Sequence, residues 1–78
     1  LFPNPVSDEM HLSFTLLDAG QVWLKVYDIS GRVVRNEYIF ASAGDNQKQI
    51  DVEDFETGIY YLVLSNREQS ARIKFLVE

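Results

Sequence analysis

A chain of 78 residues, 46% hydrophobic and 13% aromatic, has room for one folded domain and no second. Its aromatic and β-branched content excludes a disordered segment, and zero Cys with a single His excludes a disulfide- or zinc-stapled mini-fold. Seven Lys and Arg against twelve Asp and Glu leave a net charge of −5 that repels phosphate backbones, so nucleic acid is not an expected partner, and no apolar run approaches the ~20 residues of a membrane-spanning helix.

The chain opens on Leu1, as expected of a piece of something longer, and Pro3-Asn4-Pro5 follows at once. Each Pro lacks a donor and fixes φ near −65°, so residues 1–5 are expected to form a stiff junction with an upstream domain and at most a short extra strand. From Met10 the hydrophobic period is two. Met10, Leu12, Phe14 and Leu16 alternate with His11, Ser13, Thr15 and Leu17, and Val22, Leu24 and Val26 alternate with Gln21, Trp23, Lys25 and Tyr27. Val34, Tyr38 and Phe40 share one face of a third strand, with Val33, Arg35, Glu37 and Ile39 on the other. Ile50 and Val52 mark only a short run. Tyr60, Leu62 and Leu64 oppose Ile59, Tyr61 and Val63 in a run apolar on both faces, the mark of a central strand. Ala71, Ile73, Phe75 and Val77 then oppose Arg72, Lys74, Leu76 and Glu78.

Turn signals separate these runs at Asp18-Ala19-Gly20, Ser30-Gly31, Gly44-Asp45-Asn46, Thr57-Gly58 and Ser65-Asn66. The polar window 45–56 fails the helical template. The expectation is an all-β, immunoglobulin-like sandwich of two antiparallel sheets and about seven strands, six strong ones plus the short one near Leu1–Pro5. The antibody-type Cys…Trp…Cys pattern is absent, so only the architecture is claimed. Tyr60, at the start of the central strand, is placed to bond back to the upstream chain as a tyrosine corner does.

Constellations for chemistry are thin. Asp51, Glu53, Asp54 and Glu56 do not fit a calcium loop, because the sixth position from Asp51 is Glu56 and not Gly; they read as a solvated turn. His11 stands alone on a polar strand face, so Ser13, Ser30 and Ser70 have no base to work with, and no glycine-rich phosphate loop exists. No catalytic residue, metal ligand or cofactor is expected. Trp23, Tyr27, Tyr38 and Tyr61 have the makings of a sugar-stacking platform, though such residues more often serve as half-buried cross-strand partners. Basic side chains gather near the end, where Arg67, Arg72 and Lys74 stand against Glu68 and Glu78 on an otherwise acidic chain.

Four segments carry a resemblance. Phe2-Pro3-Asn4-Pro5-Val6-Ser7-Asp8 is similar to the aromatic-PNP-x-x-D opening of the C-terminal sorting domains of the type IX (Por) secretion system of Bacteroidetes. Asp28-Ile29-Ser30-Gly31-Arg32-Val33-Val34 resembles that family's D-x-x-G-R-x-V hairpin, Gly58-Ile59-Tyr60-Tyr61-Leu62 its G-x-Y-x-L strand, and residues 72–78 its terminal basic-apolar strand. The similarity spans nearly the whole chain in order. It implies a single sorting domain, residues 1–78, following a cargo domain in the same chain. It implies that the folded sorting domain is read in the periplasm by a shuttle protein and that an outer-membrane translocon passes the cargo outward. A cell-surface sortase then usually removes the domain, cutting upstream of the Pro3, Asn4, Pro5 junction, and the cargo is attached to the surface or released. The recognition elements carried over are Gly31, Arg32, Gly58, Tyr60, Lys74, Phe75, Leu76, Val77 and Glu78. The competing reading is a non-catalytic immunoglobulin-like module that grips a polysaccharide or a protein partner through Trp23 and the tyrosines.

Overall fold

A computed structural model describes residues 8–78. Six strands follow in chain order: β1 (Glu9–Leu16), β2 (Gly20–Asp28), β3 (Val33–Ala41), β4 (Gly44–Asp51), β5 (Gly58–Ser65) and β6 (Ser70–Val77). All pairings are antiparallel. β1 and β4 form one sheet, and the other runs β3-β2-β5-β6. The result is the all-β two-sheet sandwich that the period of two requires. The expected short strand at Leu1–Pro5 lies outside the described residues.

The core forms where the inward residues of the two sheets meet. Met10 and Leu12 of β1 and Ile50 of β4 face Leu24 and Val26 of β2, Tyr60 and Leu62 of β5, and Phe75 and Val77 of β6. Burial of each such side chain contributes about 1.5–3 kcal/mol, against a total stability of about 4–12 kcal/mol for a chain of this size. β5 lies between β2 and β6, the central place expected from its two apolar faces.

Two strands depart from the expected pattern. β4 begins at Gly44, so the expected turn at Gly44-Asp45-Asn46 is already strand and the connection moves to Ser42-Ala43. Asn46 builds that connection: its side-chain amide donates to the Ser42 carbonyl (2.8 Å) and the Gly44 carbonyl (3.1 Å), and its carbonyl accepts from the Ser42 amide (3.1 Å). β4 is a strand with little apolar pattern because it is held by an eight-residue register against β1, from Glu9↔Asp51 to Leu16↔Gly44.

In β3 the apolar face, Val34, Tyr38 and Phe40, points outward, and Arg35 and Glu37 take the inward positions opposite Val26 and Leu24. The charges are tolerated there because they close the seam between the sheets. Arg35 Nε donates to Glu37 Oε2 at 2.9 Å, Lys48 Nζ of β4 lies 3.0 Å from Glu37 Oε1, and Arg35 Nη1 donates to the Asp51 carbonyl at 3.2 Å. Burial pushes the Glu37 carboxyl up, but Lys48 and Arg35 together outweigh it and the net shift is downward. No described buried polar side-chain atom lacks a partner.

Candidate functional site

The β2–β3 hairpin is built by one carboxylate. Asp28 Oδ1 accepts from the Ser30 hydroxyl (2.7 Å), the Ser30 amide (3.0 Å) and the Arg32 amide (3.0 Å), while Oδ2 accepts from Arg32 Nε (3.1 Å). The Gly31 amide closes the turn on the Asp28 carbonyl at 3.0 Å, and Gly31 sits at φ +91, a conformation that side chains disfavour. The spacing D-x-S-G-R is therefore turn chemistry: an acceptor, a donor, a left-handed residue and a cation that closes the loop. Arg32 stays 79% exposed even so.

These bonds lower the Asp28 carboxyl to about 2, the Ser30 hydroxyl contributing most, then the Arg32 amide, with burial opposing. In the unfolded chain it titrates at about 3.9. The turn's contribution to stability is thus fully present above about pH 4 and is lost as pH falls toward the folded value. Urea melts across this window are expected to show the wild type losing stability on acidification and Asp28→Ala starting lower with a flatter dependence. Identical profiles for the two proteins would contradict this role for the carboxylate.

Next to the hairpin stands the start of β5. Tyr60 pairs with Asp28 on one side and Phe75 on the other. Its hydroxyl donates to the Glu56 carbonyl at 2.7 Å, so the tyrosine corner forms as expected. The ring packs on Phe55 (centroids 5.0 Å) and stacks on Phe75 (5.8 Å), and burial, with the charges of Glu56 and Asp28, pushes its phenol up. Gly58 lies opposite Val77 and Ile59 opposite Leu76, so the end of β6 reaches the same edge of the sandwich.

The recognition elements expected from the sequence thus gather at one end of the four-stranded sheet. Gly31 and Arg32 stand at the β3 side and Val77 at the β6 side, three strand spacings or about 14 Å apart. They divide by burial. Tyr60, Phe75 and Val77 are core; Gly31, Arg32, Lys74 and Glu78 are exposed, and Gly58 and Leu76 lie between. Lys74 stands slightly apart, opposite Tyr61 on the outer face, where Arg72 also sits, its guanidinium 5.4 Å from the Tyr61 ring centroid. Pro3, Asn4 and Pro5 fall outside the described residues. The Asp8 carbonyl, which accepts from the Val52 amide at 2.9 Å, shows that the chain enters β1 beside the loop after β4.

The same end holds residues that the motifs do not name. An open concavity of about 540 Å³ lies between the hairpin and the 52–57 loop. Ile29, Val34, Phe55 and Ile59 supply its apolar lining, and Asp54 and Glu56 bring in the acidic turn. The one signal for this in the sequence is Ile29, a large apolar residue at a hairpin tip; the structure leaves it 69% exposed. His11 is exposed beside Glu9 at 3.7 Å, and the Ser30 hydroxyl is spent on Asp28, so neither assembles with a nucleophilic group. Among the described residues no three His, Asp or Glu converge as metal ligands, and no helix is long and apolar enough to cross a membrane.

The class of domain that the structure defines is an all-β, two-sheet sandwich with its turn motifs gathered at one end. The model of the secretion system C-terminal sorting domain family matches residues 1–78, and the chain belongs to that family. It is a C-terminal sorting signal for type IX secretion, a system of Bacteroidetes. No curated protein matches the sequence.

Proposed function

We propose that the type IX machinery reads this domain at the end where Gly31, Arg32, Gly58, Tyr60 and residues 74–78 gather. The reading rests on that convergence: residues as far apart in sequence as Arg32 and Val77 lie at one end of the sandwich. The roles divide as burial does. Gly31 shapes the hairpin; Tyr60, Phe75 and Val77 hold the end rigid; Arg32, Lys74, Leu76 and Glu78 present side chains to the reader. The reader is a shuttle protein and an outer-membrane translocon that meet the folded domain in the periplasm and move the cargo domain of the same chain outward. A cell-surface sortase then cuts upstream of Pro3-Asn4-Pro5, and the cargo is attached to the surface or released. The domain itself catalyses nothing; its part is to fold and be recognised.

Charge reversal at the exposed cations tests this. In a secreted reporter, Lys74→Glu and the double variant with Arg32→Glu are expected to leave cargo in the periplasm. For Lys74→Glu the stability in urea is expected to stay within about 0.5 kcal/mol of wild type, as is usual for exposed positions. Normal secretion by the double variant would sink the idea that these charges are read.

A further inference from the structure

The opposite end of the sandwich carries the largest exposed aromatic groups, and neither the hairpin nor the terminal strand explains them. Trp23 of β2 and Tyr38 of β3 stand directly opposite each other on the outer face, ring centroids 4.8 Å apart and planes tilted by 44°. Phe40, two residues on and opposite Gln21, shares their face. Trp23 is 39% exposed, Tyr38 51% and Phe40 74%, more than a purely structural cross-strand ladder requires.

Beside them is a concavity of about 490 Å³, within the range of ligand clefts. Its walls mix the aromatic rings with Asp18, Gln21, Arg67 and Glu68. Gln21 and the turn at residues 66–69 are held in place. The Tyr38 hydroxyl donates to Gln21 Oε1, and Asn66 Oδ1 accepts from the Glu68 and Gln69 amides at 2.9 and 2.8 Å, fixing the turn that presents Arg67 and Glu68.

We propose that this end binds a neutral oligosaccharide. A pyranose ring has one face of positively polarised C–H bonds that suits the negative face of an aromatic ring, and a rim of hydroxyls that both donate and accept. Gln21 and the carboxylates of Asp18 and Glu68 accept from such hydroxyls, and Arg67 donates in pairs. One guanidinium against two carboxylates disfavours an anionic ligand, as does the chain's net charge of −5. A greasy protein surface would leave these four polar side chains desolvated without partners. Rings and turn already held in place lower the ordering cost of binding.

Trp23 is the chain's single tryptophan, so its emission reports directly on the site. The 78-residue domain would be titrated with cellohexaose, laminarihexaose, mannohexaose and chitohexaose. A saturable shift of Trp23 emission is expected with at least one, at millimolar concentration or below. Phe40→Ala and Arg67→Ala are expected to weaken that binding about tenfold while the urea midpoint holds. Phe40 suits this test because its ring is mostly in solvent. No saturable change with any of the four sugars would overturn the proposal, as would unaltered affinity in both variants. An emission shift that follows protein concentration in the absence of sugar, with a dimer in sedimentation, would overturn it in favour of a second copy covering the aromatic end.

Discussion

A reporter whose sorting domain stops at Phe75 is expected to fold in large part and yet fail to leave the periplasm. The deletion removes Leu76, Val77 and Glu78. With them go the pairings of Ile59 with Leu76 and of Gly58 with Val77, and a Val side chain that is only 1% exposed. Loss of that burial costs about 1.5–3 kcal/mol, out of roughly 4–12. The truncated domain is destabilised, so export must be compared with that of a full-length variant weakened at the same place, each set against its own urea stability. Val77→Ala serves: it opens the same core position and keeps the strand. If Val77→Ala is exported and the truncation is not, the end of β6 is read as a surface. If export falls with urea stability equally in both, β6 matters only as part of the fold.

Phe75→Ala is expected to weaken the fold more than the loss of Val77 and far more than any change on the surface. The ring is 1% exposed and completes the row Phe55, Tyr60, Phe75, with centroid separations of 5.0 and 5.8 Å. Truncation of a buried Phe costs about 3–5 kcal/mol, which takes roughly 12–40 °C from the melting midpoint of a domain this small. The tyrosine corner would loosen as well, since Phe75 is the cross-strand partner of Tyr60. Thermal and urea melts check this. A loss below about 1 kcal/mol would mean that the end of the sandwich is not held together by this row. Lys74, the preceding residue on the outward face, gives the contrast: Lys74→Ala is expected to stay within about 0.5 kcal/mol.

Most of the fold is legible in the sequence. Alternation by two, punctuated by Gly and Asx turns, defines β1, β2 and β6 and identifies which face of each is buried, while β5, apolar on both faces, is legible as a central strand. The hydroxyl bond of Tyr60 also follows from its place at the head of a central strand. β4 is legible only at Ile50, because its residues answer to β1 and to Glu37 across the seam, and a strand held by pairing and ion pairs leaves no hydrophobic period. The orientation of β3 is hidden for the same reason. Its apolar face is the outer one, and only the register with Val22, Leu24 and Val26 shows that Arg35 and Glu37 point inward.

The site is legible as four separate motifs and not as a place. Turn chemistry explains why Asp28, Ser30, Gly31 and Arg32 occur together, but the meeting of that hairpin with Gly58 and Val77 follows from the strand order β3-β2-β5-β6, which is a non-local fact. The apolar concavity between Ile29 and Phe55 arises from the same order and has no local signature.

The most direct test is an export assay in a bacterium with a working type IX system, using a periplasm-directed fluorescent reporter with and without residues 1–78 at its C-terminus. The fused reporter is expected at the cell surface or in the medium, and the unfused one in the periplasm. A fused reporter that stays in the periplasm, with its sorting domain intact and folded, would contradict the proposal that the type IX machinery reads this domain as an address.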